Sequence, residues 1–143
     1  MNCEIGSIIK LDQKFFERPW TKEMWSNLNF DKTQTNFYYL SKINHSDICV
    51  GFSLYLINKA ESLAHLLKIL VIPNKRGKGI SSVQLKNDIK YFQSLFIEKI
   101  YLEVSTKNLN AIKFYKKHSF VTLRYTQKFY NNGDDAFVME LPL

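Results

Sequence analysis

Leu66-Leu67-Lys68-Ile69-Leu70-Val71-Ile72-Pro73-Asn74-Lys75-Arg76-Gly77-Lys78-Gly79-Ile80-Ser81 is the stretch that decides the fold. The apolar run up to Ile72 predicts a strand, Pro73 and Asn74 predict a turn, and the segment from Ile80 through Leu85 predicts the start of a helix. Strand, glycine loop and helix in that order make a cradle for an anion. The first N–H groups of a helix lack intrahelical partners, and the aligned peptide dipoles leave about +0.5 charge at that end. Gly77 and Gly79 can take positive φ and present successive N–H groups to a diphosphate, while Arg76 and Lys78 add mobile positive charge at the rim. A plain turn between strand and helix is the competing reading of the same glycines. A P-loop would need G-x-x-x-x-G-K-[ST], which is absent, and a dinucleotide fingerprint would need glycine at position 82, which is Ser82.

Working outward, Leu85, Ile89, Phe92 and Phe96 recur at helical intervals and predict a helix lying on a sheet, with Lys86, Asp88 and Lys90 on its outer face. Glu98 to Val104 predicts a second buried strand, parallel to the first. Asn108 to His118 predicts an amphipathic helix, and Phe120 to Tyr130 with Ala136 to Leu141 a closing hairpin around Asn131-Asn132-Gly133-Asp134. Upstream, Asn36 to Ile43 and Ile48 to Ile57 predict a hairpin turning at Asn44 to Asp47, Thr21 predicts a helix N-cap, and Ile5 to Leu11 predicts a first strand. The elements give an α/β (α+β) chain with a mixed sheet, read as one domain over residues 1–143.

The 143 residues are 45% apolar and 15% aromatic, a globular profile with enough length for a core. Net charge is +7, yet the lysines are scattered, so no direct nucleic-acid site is expected. Cys3 and Cys49 have neither metal nor disulfide spacing and read as free buried thiols. His45, His65 and His118 have no metal spacing either, so no metal is expected. No signal segment or long apolar span is seen, which places the expected chain in the cytoplasm, off the membrane.

Ala64 to Val71, Pro73 and Arg76-Gly77-Lys78-Gly79-Ile80-Ser81 resemble the acetyl-CoA-binding core of the GNAT acetyltransferases, whose loop reads Gln/Arg-x-x-Gly-x-Gly/Ala. Leu102-Glu103-Val104, Asn108, Ala111-Ile112, Phe114-Tyr115, Phe120, Arg124, Lys128-Phe129-Tyr130, Asp134-Asp135-Ala136 and Met139-Glu140-Leu141 resemble the RimI branch of ribosomal-protein-alanine N-acetyltransferases, as does Pro19-Trp20-Thr21. The resemblance covers nearly the whole chain. It implies the acyl-CoA N-acyltransferase fold, with about seven strands in a mixed central sheet and about four flanking helices. It also implies transfer of acetyl from acetyl-CoA to an N-terminal alanine of a small-subunit ribosomal protein; the chain is expected to act as a monomer.

In that branch the residue matching Glu103 acts as base, directly or through water, and the one matching Tyr115 protonates the departing thiolate. Strand alternation puts Tyr101, Glu103 and Ser105 on one face and Leu102 and Val104 on the other. Residues alone leave other readings open: a strand Glu paired with a cation, a helical Tyr packed in the core, an Asn that only caps a helix. The resemblance assigns acetyl-CoA to Ile69, Leu70 and Val71, whose backbone would pair with the pantetheine arm and supply an oxyanion donor, to Arg76, Gly77, Lys78, Gly79, Ile80 and Ser81, and to Asn108. The acceptor is expected between Phe16 to Trp20 and the Tyr130 to Asp135 hairpin, on Trp20, Tyr130 and Asp134, though exposed hairpin acids are commonly just solvated. An α-amine, with a reference pKa of roughly 7.7 to 8.0 against about 10.4 for lysine, is the easier nucleophile.

Three departures stand out. Ser81 replaces the loop's final Gly/Ala and can act as an N-cap, Lys68 stands where Asn is common, and His118-Ser119-Phe120 replaces Leu-Gly-Phe, putting Ser119 where a helix end favours positive φ. Two other functions compete: a lysine or small-amine acetyltransferase, and a non-catalytic module that binds acetyl-CoA or the ribosome.

Overall fold

The computed structural model describes residues 2–143, with side chains from residue 5 onward, so Cys3 falls outside the described side chains. In chain order the elements are α1 (Asn2–Phe15), α2 (Lys22–Ser26), β1 (Asn36–His45), β2 (Ile48–Asn58), β3 (Leu63–Val71), α3 (Ile80–Ser94), β4 (Lys99–Ser105), α4 (Leu109–Lys117), β5 (Val121–Thr126) and β6 (Ala136–Pro142), with a 3₁₀ turn at Pro73–Lys75. The strands form one mixed sheet in the order β1-β2-β3-β4-β6-β5. All neighbouring pairs are antiparallel except β3 with β4.

The sheet has six strands among the described residues, against the seven expected, because Ile5 to Leu11 lies in α1. Ile5, Ile8, Ile9, Asp12, Phe15 and Phe16 recur every three or four positions, which winds an apolar stripe along a helix. Ile8 is fully buried against the second core, with Trp25 of α2 and Phe52, Leu54 and Leu70 of the sheet. The opposite face carries the larger core, where Leu85 and Phe92 of α3 and Ile112 and Tyr115 of α4 cover Tyr55, Ile57, Leu66, Ile100, Leu102 and Met139. The sheet is therefore buried between α1 and α2 on one side and α3 and α4 on the other.

Local chemistry sets the ends of these elements. The β1–β2 hairpin turns through Ser46 and Asp47, both at positive φ (52° and 65°), the twist that matches a two-residue hairpin. Thr21 caps α2, its Oγ1 accepting the Met24 N–H at 3.1 Å. At the end of α4, Ser119 N–H bonds to Lys116 O and Phe120 N–H to Tyr115 O, both at 3.0 Å, and Ser119 sits at φ 72° as its position in the motif requires.

The structure corrects three further expectations. Asp88 is 1% exposed and faces the core, where it accepts from the Tyr55 hydroxyl at 3.1 Å. Phe96 lies past the end of α3, at φ 60° and 85% exposed, so the buried stripe of the helix ends before it. The strand expected to reach Tyr130 stops at Thr126, and residues 127–135 form a long connection to β6.

Two features of β3 open the sheet and shape its exposed edge. It pairs with β4 only over Leu63 to His65 against Lys99 to Tyr101, after which the two parallel strands part. Against β2, the register slips between Leu54↔Lys68 and Tyr55↔Leu66, so Leu67 is an extra residue in β3. Such a bulge bends a strand and re-aims its neighbours.

Candidate active site

Where β3 and β4 separate, the sheet opens into a cavity of about 1020 Å³. Its walls are β3 from Leu66 to Val71, β4 from Leu102 to Ser105, the α1–α2 segment from Phe15 to Trp20, the inner side of α4, and Tyr130, Asn132 and Asp134 from the connection before β6. The parting of the strands creates this space. Each strand keeps its other neighbour, β2 or β6, so the gap costs only the β3–β4 hydrogen bonds.

Glu103 projects into the gap from the face of β4 opposite the buried Leu102 and Val104. Its Oε2 lies 2.6 Å from His65 Nε2, and both side chains are 19% exposed. His65 stacks on Tyr101 with ring centroids 4.1 Å apart and planes at 15°, which fixes the imidazole edge toward the carboxylate. His65 carries no role in the sequence reading. The signal lay in the parallel pairing: His65 is the partner of Tyr101, two positions before Glu103 on the same face, but only the register reveals it.

On the α4 wall, Tyr115 is buried between Phe114 and Phe120 and lines the same cavity. Burial, with a smaller contribution from Tyr130, holds its hydroxyl pKa far above the ordinary value of 10.0, so the group keeps its proton. Asn108 caps α4, its Oδ1 accepting the Ala111 N–H at 3.2 Å, and also lines the cavity. Cap and wall are one residue.

The glycine loop runs to the other end of the gap. Gly79 is the N-cap of α3 at φ 75°, and Gly77 has φ 77°. Ser81 therefore sits inside the helix and does not cap it. No side chain caps this end. A Cβ on either glycine would meet nothing within 4 Å, so the loop is open around both residues. That is a fit for a diphosphate. Ile69, Leu70, Val71, Arg76 and Ser81 line the cavity, whereas Gly77, Lys78, Gly79 and Ile80 lie beyond its lining. Arg76 is tethered rather than mobile, its Nε donating to Val71 O at 2.8 Å. At the loop's helix, Ser82 Oγ meets His118 Nε2 at 2.8 Å, and burial lowers the His118 pKa, helped by Lys117 and Lys86.

The acceptor side is built from two segments that touch. Arg18 lies over the Tyr130 ring at 4.5 Å and 3.8 Å from Asp134, joining the α1–α2 segment to the connection before β6. Asp134 also accepts from Lys107 Nζ at 2.8 Å and Asn132 Nδ2 at 3.0 Å, and these hydrogen bonds keep its carboxyl below the ordinary pKa. Trp20, Tyr130 and Asp134 all line the cavity, with Asp134 already engaged by cations. Behind Trp20, Asp12 is fully buried and binds Lys68, the Trp20 N–H and the Trp25 indole. Among the described residues, no group of His, Cys, Asp and Glu could hold a metal ion.

Comparison with known proteins places this arrangement. The chain is 34% identical over 80 residues to an N-alpha-acetyltransferase of Sulfolobus acidocaldarius, covering 55% of this chain and 48% of that protein. It spans about half the length of the curated relatives it matches. In structure it is similar to the ribosomal-protein-S18-alanine N-acetyltransferase of Escherichia coli, with TM-score 0.84 and 19% identity, over 99% of this chain and 89% of that one. It is also similar to Naa50 of Arabidopsis thaliana in complex with the bisubstrate analogue CoA-Ac-MVNAL, with TM-score 0.84 and 24% identity, over 100% of this chain and 95% of that one. The profile of the acetyltransferase (GNAT) family matches residues 5–120, and with that match the chain belongs to the GNAT acetyltransferase family.

Proposed function

We propose that this protein is an acetyl-CoA-dependent N-terminal acetyltransferase, acting on the N-terminal alanine of a small-subunit ribosomal protein. One observation carries the reading: Glu103, held by His65 at 2.6 Å, and the protonated Tyr115 face one cavity at the point where two parallel strands part. The names of the relatives support the reaction class, and the fold shared with the Escherichia coli enzyme supports the ribosomal acceptor. In this reading acetyl-CoA supplies the acyl group as a thioester.

The chain's residues then have distinct tasks. The uncapped first turn of α3 and the loop before it bind the diphosphate, and the free edge of β3 from Ile69 to Val71 pairs with the extended arm. Glu103, oriented by His65, takes a proton from the acceptor's ammonium so that a neutral amine attacks the carbonyl carbon. A backbone N–H of the Ile69 to Val71 segment, just past the bulge at Leu67, serves as donor to the negative charge developing on the carbonyl oxygen. Tyr115 gives its proton to the departing sulfur. The new bond is the amide C–N and the broken bond is C–S. The acceptor nitrogen loses two protons: the first goes to Glu103 and on to solvent, and the second, shed as the tetrahedral adduct collapses to the amide, replaces the one Tyr115 gives to sulfur.

Trp20, Tyr130 and Asp134 border the entry for the acceptor chain. We also propose that residues 1–143 act as one domain and as a monomer, in the cytoplasm, where ribosomes and acetyl-CoA meet. No described helix is long and apolar enough to cross a membrane. The test is incubation with acetyl-CoA and peptides whose α-amine is free or blocked, read by mass spectrometry. Acetyl on the free α-amine supports the reading. Acetyl only on lysine rejects the acceptor class, and binding without transfer favours the non-catalytic module.

A further inference from the structure

Lys68 is a charged side chain in the cavity wall that the proposed chemistry leaves unused. Its side chain is 5% exposed, and Nζ donates to Asp12 Oδ1 at 2.6 Å. Asp12 lies behind it, outside the cavity lining, with Oδ2 already taken by the Trp20 N–H at 2.8 Å and the Trp25 indole at 2.9 Å. The Phe16 and Trp20 rings stand 4.3 and 5.2 Å from the ammonium. An ammonium has three N–H donors. Among the described residues Asp12 supplies its hydrogen-bond acceptor, and burial lowers the Lys68 pKa against the pull of that carboxylate. Asp12 and the two rings face this cation from the protein side, and Lys68 itself lines the cavity.

The bulge at Leu67 turns Lys68 toward α1, the face of the divided sheet on which Glu103 also stands. Glu103 and Lys68 line one cavity, so an acceptor whose amine reaches Glu103 can bring one of its first side chains to Lys68. We propose that Lys68 is a specificity residue that selects an acidic side chain, Asp or Glu, within the first two residues of the acceptor. This role rests on the proposed α-amine acceptor, and not on alanine as its first residue, and adds the chemistry of its substrate. A carboxylate there forms a charge-assisted hydrogen bond that an amide of the same shape forms more weakly.

Four peptides, identical except for starting Ala-Glu, Ala-Gln, Glu-Ala or Gln-Ala, test this by steady-state acetylation. The expected result is a kcat/KM about tenfold higher for Glu than for Gln in at least one pair, the size of a hydrogen bond to a charged group. The double variant Lys68→Met/Asp12→Asn removes the ion pair as a unit and leaves no lone buried charge, and in it the two members of each pair should react alike. Lys68→Arg should keep the preference. Equal rates for Glu and Gln in both pairs with the unaltered protein overturn the inference, with no variant needed. So does a Glu preference that survives in a double variant shown to be folded by its melting transition. If none of the four peptides is acetylated, the α-amine reading itself falls and this inference with it.

Discussion

Glu103 and His65 come from strands 38 positions apart in sequence and meet at 2.6 Å because the β3–β4 pairing ends just where their side chains begin to face the gap. Glu103→Gln and Tyr115→Phe should each lower kcat about 100-fold, the usual size of a lost general base or acid. The KM for acetyl-CoA should stay within about twofold in both, because neither residue belongs to the diphosphate cradle. Unchanged turnover in both variants would remove their assigned roles. Asp88 makes a separate prediction about stability. Burial raises its pKa from 3.8 to about 6, against the lowering effect of hydrogen bonds from Ser41 and Tyr55. The folded chain then keeps a proton that the unfolded chain has released, so this contribution to stability is complete below about pH 3.8 and is lost as pH rises through about 6. Asp88→Asn should therefore stabilise the protein at pH 7, by up to about 3 kcal/mol, with the gain shrinking to near zero at pH 4. Urea unfolding of both proteins across that range checks the sign. Glu103 was legible because strand alternation alone sets its face. His65 and the Lys68–Asp12 pair were not, since they depend on register, a bulge and a contact across 56 positions. Asp88 was misplaced by its charge, although its spacing from Leu85 and Phe92 puts it on the core face.

Among the elements, α4 ends on a left-handed Ser119, and the strain expected from its sequence position is present as φ 72°. Ser119→Gly should relieve about 1 kcal/mol and raise Tm by a few degrees, as differential scanning calorimetry would show. A lower Tm would mean that the Ser119 side chain contributes more than its backbone costs. Gly79 sits at φ 75° at the N-cap of α3 with open space around it, so Gly79→Ala strains the loop without a clash. Acetyl-CoA affinity should fall about tenfold by titration calorimetry, since about 1 to 2 kcal/mol of strain would be set against the loop geometry that cradles the diphosphate. Unchanged affinity would place the diphosphate elsewhere. The glycine loop, the parallel strand pair, the β1–β2 hairpin and the caps at Thr21 and Asn108 could be read locally, because turn chemistry and alternation are short-range. α1 could not be read the same way. Its three isoleucines favour a strand by propensity, and only packing of the Ile8 face against Trp25 and Phe52 settles it as a helix.

At the scale of the molecule, two cores on opposite faces of one sheet hold rigid walls around a gap in that sheet. The arrangement brings a helix N-terminus, a carboxylate–imidazole pair, a buried phenol and an acceptor rim into one cavity, although they come from separate parts of the chain. The +7 charge is spread over the surface and favours encounter with anionic partners without selecting one. Acceptor and base are tested together by mass spectrometry of one peptide that carries both a free N-terminal alanine and an internal lysine, incubated with acetyl-CoA and either the unaltered protein or Glu103→Gln. A single acetyl on the alanine nitrogen is expected, formed about 100-fold more slowly by the variant. Acetyl on the lysine, or equal rates from the two proteins, would contradict it.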